Sequence, residues 1–256
     1  MASPNPQIGQ PHLQVQNLTM AYGDFVIQHD LNFNVNYGDI FIIMGGSGCG
    51  KSTLLKHMIG LKRPAKGDIL FNDQPFWTSS EETQASIKRN FGAMFQAGAL
   101  WSSLTLAENL ALPLNEYTRL APDEIQDVVA IKLALVGLAG YENFYPSEIS
   151  GGMVKRAALA RAMVMDPSML FLDEPSAGLD PISSRRLDEL IIELSQSMGI
   201  TIAIVTHELP SIFTIGNNCV FLDPETRTML ETGDPKIMRD NSKFEKVRYF
   251  LNRGEK

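Results

Sequence analysis

From Leu13 apolar and polar residues alternate through "LQVQNLTM" and again through "LNFNV", to about Val35. A period of two turns every second side chain to a buried face, so this stretch predicts antiparallel strands with one wet face. At "DIFIIMG" the alternation gives way to an unbroken apolar run, which predicts a strand covered on both faces. A glycine-rich loop follows and then a helix from Lys51 to about Ile59, and "GDILFND" predicts a further strand after a glycine turn. From about Leu104 to Met165 the pattern is mostly helical, with "PDEIQDVVAIKLALVGLAG" carrying a Pro-Asp-Glu start and a Gly stop. "SMLFLDEP" and "ITIAIVTHE" are again short apolar strands, separated by the helix "ISSRRLDELIIELSQSMG". The order predicts an α/β fold: a mostly parallel sheet with helices on both faces, interrupted by a helical insertion at 97–165. After Gly233, residues Phe244, Val247, Phe250 and Leu251 fall at helical spacing, an apolar face that docks either on its own domain or on a partner.

Composition narrows the picture. With 256 residues, 44% of them hydrophobic, the chain can bury a core in one domain or in a domain with a subdomain. A net charge of −7 argues against a nucleic-acid-binding surface and against a polybasic membrane anchor. No run approaches the ~20 apolar residues that span a bilayer, and "MASPNPQIGQP" lacks the features of a signal peptide. A mobile tail over 1–11 and a cytoplasmic location are therefore expected, with any membrane reached through a partner. Cys49 and Cys219 have neither metal spacing nor a disulfide framework, which fits a reducing compartment.

Candidate chemistry gathers at strand ends. In "GGSGCGKST", residues Gly45, Gly46, Ser47, Gly48, Cys49, Gly50, Lys51, Ser52 and Thr53 have phosphate-loop spacing between a buried strand and a helix. Its backbone N–H groups would curl around phosphates, Lys51 would supply a charge, and Ser52 a hydroxyl to Mg2+. Cys49, inside the loop, would make the enzyme sensitive to thiol reagents by steric blockage, with a reactivity that depends on its pKa. "MLFLDE" delivers two carboxylates at a strand's C-terminal end: Asp173 for Mg2+, and Glu174 to take a proton from attacking water. His207 ends another buried strand and suits a polar contact to the γ-phosphate or the water. Gln96 ends a strand and opens the insertion, where its amide can touch Mg2+ or water, or make a loop hydrogen bond. Tyr22, before a glycine turn, either stacks on adenine or is an exposed turn residue. Ser150, Gly151 and Gly152 form a helix start suited to an anion, and the sequence does not say where it points.

Tyr22, "GGSGCGKST", Gln96, "ISGGM", "MLFLDE", "SAGLD" and His207, in that order and at those separations, resemble the ATP-binding subunit of ABC transporters from Leu13 to about Gly233. The resemblance implies a phosphate-loop, RecA-like NTPase core at 12–96 and 166–233 with an antiparallel β subdomain. It further implies a helical subdomain at 97–165 carrying the signature "ISGGM", and a helical tail at 234–256. ATP and Mg2+ are implied, with Ser52, Gln96 and Asp173 on the metal and Glu174, His207, Lys51 and Gln96 in catalysis. Also implied is a head-to-tail dimer, in which Ser150, Gly151 and Gly152 of one copy close on the ATP of the other and Ser176, Gly178 and Asp180 lie at the seam. The segment Phe95 to Glu116, Met153 in place of the usual Gln, and the tail "KFEKVRYFLNRG" look like the branch serving permeases paired with MCE-domain proteins. That branch implies phospholipid traffic between the membranes of a Gram-negative bacterium, at the cytoplasmic face of the inner membrane, with a small accessory subunit. Phe95, Ala99, Leu100, Trp101 and Leu104 would then form a groove for the permease, or else fill the insertion's own core.

Overall fold

A computed structural model describes residues 9–252. Residues 1–8 of the expected tail lie outside that range, and Pro11 already belongs to a strand. In chain order the elements are β1 (Pro11–Tyr22), β2 (Phe25–Asn36), β3 (Ile40–Gly45), α1 (Lys51–Met58), β4 (Lys66–Phe71), β5 (Gln74–Pro75), α2 (Glu81–Lys88) and β6 (Phe91–Met94). There follow α3 (Leu106–Tyr117), α4 (Pro122–Leu135), α5 (Gly151–Ala162), β7 (Met169–Asp173), α6 (Pro181–Met198) and β8 (Thr201–Val205). The chain continues through α7 (Leu209–Ile215), β9 (Asn218–Asp223), β10 (Thr228–Gly233), α8 (Pro235–Asn241) and α9 (Glu245–Leu251).

Two sheets form. The alternating segment pairs as expected, giving an antiparallel sheet in the order β2-β1-β4-β5, while the apolar runs build a second sheet, β10-β9-β3-β8-β7-β6. In that sheet β9, β3, β8, β7 and β6 are parallel and only β10 runs against its neighbour. Period-two alternation sorts the side chains of β3 onto two cores. Ile40, Ile42 and Met44 face a helical layer that includes Leu110 of α3, Leu133 of α4, Leu159 of α5, Ile191 of α6 and Val247 of α9. Phe41 and Ile43 face α1 and the antiparallel sheet, through Leu54, Leu55, Val15 and Leu31. The second face is thus covered by α1, by α2 through Ile87 and by a β layer, so helices lie on both faces as the sequence predicts, with the antiparallel sheet added to one of them.

The helical insertion is tied down locally. Thr105 caps α3 and its backbone N–H is bonded in turn by Glu108, while buried Asn109 accepts from the Trp101 N–H at 2.7 Å and donates to the Trp101, Leu104 and Thr105 carbonyls. Gly92 of β6 is the point of closest approach to α5: a Cβ there would lie 1.8 Å from the Ala162 carbonyl oxygen.

His12 joins the two sheets. It is buried at the start of β1, stacked on Tyr37 with ring centroids 3.9 Å apart, and its Nδ1 is 2.8 Å from Thr201 Oγ1 in β8. Burial pushes its pKa down from 6.5 to about 4. Its imidazole resists a proton that the unfolded chain accepts, so stability is full above pH 6.5 and falls as pH drops from 6.5 towards 4. The expected loss between pH 7 and pH 4 is about 3 kcal/mol from this group. Denaturant titrations across that range check it, and a His12→Asn chain should lose that part of the slope.

Candidate functional site

β3 ends at Gly45, where φ is +147° and a Cβ would lie 2.3 Å from the Leu222 carbonyl oxygen, so only glycine fits. The loop then curls back to α1, and residues 45–48 and 50–53 line a cavity of about 920 Å3. The Lys51 ammonium sits in that curl and donates to the carbonyls of Gly45 (3.1 Å) and Gly46 (3.0 Å). The Cys49 thiol is buried and does not line the cavity, and burial pushes its pKa up against the pull of Lys51, both of which disfavour attack by thiol reagents.

β7 brings the carboxylates to the same place. Ser52 Oγ donates to Asp173 Oδ1 at 3.0 Å, and burial raises the Asp173 pKa against the lowering influence of that bond and of Lys56 and Lys51. A hydroxyl and a carboxylate oxygen side by side are hard donors of the kind Mg2+ takes together with phosphate oxygens. Glu174 follows at φ +48°, in the left-handed region, with its N–H bonded to the Val205 carbonyl at 2.8 Å. A non-glycine residue held there is strained by about 1–2 kcal/mol, and its side chain has a different partner from that of Asp173. His207 Nδ1 donates to Glu174 Oε1 at 2.7 Å, whereas Oε2 is buried without a hydrogen-bond partner. One carboxylate oxygen is therefore oriented and the other free to accept, and Glu174, His207 and Gln96 all line the cavity.

Tyr22 lines the cavity half-exposed, with the Lys62 ammonium 3.2 Å from its ring centroid, so a single ring face remains for a base. Ser150 caps α5 by accepting from the Met153 N–H at 3.4 Å. Neither it nor Gly151 or Gly152 lines the cavity of its own chain; this helix start is exposed, with Gly152 packed against Ser183. Ser176 is buried, Gly178 is exposed, and Asp180 caps α6 through the Ile182 and Ser183 N–H groups, both at 3.0 Å. The Ser183 hydrogen bonds hold the Asp180 pKa below the usual carboxylate range.

Phe95, Ala99 and Trp101 line a second cavity, of about 600 Å3, between α2, α3 and α5, with Pro113 and Tyr117 opposite. Leu100 packs into the helical core and half-buried Leu104 does not line that cavity, so only three of the five candidate groove residues gather. The C-terminal segment packs on its own domain: Val247, Phe250 and Leu251 are buried, Phe250 meets Phe221 edge-on at 5.3 Å, and Lys246 pairs with Asp223 and Glu225. Phe25, Ile27, Asp223, Lys246 and Tyr249 join the cavity wall without having been singled out in the sequence, and Phe250, read there only as part of an apolar helix face, joins it too. Gln28 was missed as well: its amide donates to the Cys49 carbonyl (2.9 Å) and the Asp223 carbonyl (3.1 Å), bracing the loop from behind.

A glycine loop curled around a lysine between a buried strand and a helix, facing paired acidic residues at another strand's end, defines a phosphate-loop nucleotide-binding protein. The sequence profile of the ABC transporter family matches residues 28–177, and the chain belongs to that family, whose cassettes bind and hydrolyse ATP. It is 40% identical over 210 residues to the intermembrane phospholipid transport system ATP-binding protein MlaF of Haemophilus influenzae, covering 82% of this chain and 80% of the relative. It is also 40% identical over 240 residues to mkl of Mycobacterium tuberculosis, named a probable ribonucleotide transport ATP-binding protein, covering 94% of this chain; the chain spans 66% of that relative's length. Among solved structures, MJ0796, a bacterial ABC transporter cassette seen as a dimer, superposes with a TM-score of 0.78 at 26% identity, over 87% of this chain and 98% of the other.

Proposed function

We propose that the protein is the ATP-hydrolysing subunit of an ABC transporter that moves phospholipid between the inner and outer membranes of a Gram-negative bacterium. The observation that carries the hydrolytic role is the orphaned, buried Oε2 of Glu174, held by His207 at its other oxygen beside a phosphate-sized loop. Lys51 and the loop N–H groups bind the β- and γ-phosphates, and Tyr22 offers one face to the adenine. Ser52 and Asp173, with Gln96, would hold Mg2+, which when bound neutralises phosphate charge. Glu174 Oε2 takes the proton of the attacking water, and His207 keeps the carboxylate aimed.

The exposed turn at Ser150–Gly152 does not line its own chain's cavity, and its N–H groups fit the γ-phosphate bound by a second copy packed head to tail. Ser176, Gly178 and Asp180 would then lie near the seam. The dimeric form of MJ0796 supports that arrangement. We assign the 600 Å3 cavity at Phe95, Ala99 and Trp101 to an integral-membrane permease, which would hold the protein at the cytoplasmic face of the inner membrane. An MCE-domain protein and a small accessory subunit complete the assembly. In this division 97–165 moves as the helical subdomain against the core at 12–96 and 166–233, and 234–256 is a tail. Similarity to MlaF carries the choice of cargo.

The test is reconstitution of the intact membrane complex in vesicles with a fluorescent phospholipid. ATP-dependent movement of lipid between membranes is the expected result. Hydrolysis that continues without lipid movement, or that moves a ribonucleotide instead, overturns the cargo.

A further inference from the structure

Helix α5 carries one residue that its packing does not ask for. Along its buried face Ala157, Ala158, Leu159 and Ala160 are small or apolar, yet Lys155 is buried among them. Its ammonium donates to the backbone carbonyl of Gln96. One and a half turns on, Arg161 donates to the carbonyl of Ala99. The turn between them is tight: the Gly98 N–H bonds the Phe95 carbonyl at 2.7 Å, Ala99 sits at φ +53°, and Gly98 lies against Val154 and Ala158 of α5. Both ends of the 96–99 turn are thus strapped to α5 by cationic donors, one of them buried. A buried ammonium is costly unless it is bonded, so an apolar residue at 155 would pack at lower cost if packing alone mattered. Burial lowers the Lys155 pKa while the Glu174 carboxylate draws it back up, which places the ammonium within electrostatic reach of the candidate base.

We propose that Lys155 is a positioning residue, which fixes the Gln96 peptide against the helix whose first turn is Ser150–Gly152 and so presents the Gln96 side chain to the nucleotide cavity only when that helix is seated. The inference rests on the proposed ATPase site and adds to it a physical link between the two ends of α5's work. Gln96 lines the nucleotide cavity of its own chain, whereas the helix start does not, so a shift of α5 driven by the partner's nucleotide reaches this chain's site through one side chain. A bond to the main chain suits such a link, because it moves the peptide that carries Gln96 without competing for the side-chain amide.

The test is steady-state ATP hydrolysis by the full chain carrying Lys155→Met, Lys155→Arg, Gln96→Ala and the Lys155→Met/Gln96→Ala pair. Lys155→Met should lower kcat about tenfold with KM within about twofold, and Lys155→Arg, which keeps a cationic donor, should recover most of the loss. In the Gln96→Ala background, adding Lys155→Met should change kcat by less than about twofold, because both substitutions break one pathway. If Gln96→Ala is slow and Lys155→Met multiplies the defect in full, or if Lys155→Met leaves kcat untouched, Lys155 does not act through Gln96 and the inference fails while the site stands. If Lys155→Met lowers kcat and Lys155→Arg does not restore it, the cationic strap is not what matters and the inference fails likewise. A Gln96→Ala chain as fast as the unaltered protein removes Gln96 from the site itself, and this inference with it.

Discussion

Replacing Glu174 by Gln leaves ATP bound and lowers turnover by about two to four orders of magnitude, the span expected when a general base is removed. The amide keeps the size and planarity of the carboxylate, and its oxygen still accepts the His207 Nδ1 hydrogen bond that now spans 2.7 Å. What disappears is the basicity of the orphaned oxygen. Because Oε2 has no protein partner, no hydrogen bond is broken when its charge is removed, so nucleotide binding has little reason to change. The strained backbone at φ +48° is unaffected, since strain there belongs to any residue with a Cβ. Single-turnover phosphate release gives the rate, and equilibrium titration with a fluorescent ATP analogue gives the affinity. Turnover near that of the unaltered protein would assign the proton transfer elsewhere.

Ser150→Arg should abolish hydrolysis, by about a hundredfold or more, while a single subunit still binds ATP. The cap on α5 is lost at a cost of about 1 kcal/mol, which leaves the fold intact. No atom of the 150–152 turn lines the cavity of its own chain, so the added bulk and charge act only where a second copy would present its nucleotide. Mixing sharpens the test. A Ser150→Arg subunit paired with a Lys51→Ala subunit has one site whose loop and facing helix start are both unaltered, and that site should regain activity. Loss of ATP binding by the isolated Ser150→Arg subunit, or failure of the mixed pair to recover, would remove the head-to-tail arrangement.

The parts of the site legible in the sequence are those where local pattern and motif spacing coincide. β3, its loop and α1 follow from a six-residue apolar strand running into Gly45–Gly50, and β7 and β8 from short apolar runs ending in Asp173 and near His207. Gln28 escapes for a geometric reason. Leu31, Phe33 and Val35 fix the inward parity of β2, but Asp30 at φ +53° and a shift of register from Leu18↔Leu31 to Met20↔Gln28 reverse it upstream. A glutamine that alternation places in water is thereby completely buried. Lys155 escapes because a lysine on a polar-looking helix start reads as solvated, and only the distant 96–99 turn gives it a partner. The apolar face of α9 is visible in the sequence, while its seat against Phe221 is not, since that contact depends on where β9 comes to rest in the sheet.

The central strand has a bearing on how the protein is made. β3 pairs with β8 on one side and β9 on the other, so its hydrogen-bonding edges stay open until the ribosome has delivered residues 201–223. The Gln28 brace, whose acceptor at Asp223 is 195 positions further along, is equally late. Such separations carry a large loop-closure cost, which slows folding and leaves "FIIM" as an unpaired apolar edge on the nascent polypeptide. An apolar strand left unpaired until that late stage makes the incomplete polypeptide prone to aggregate.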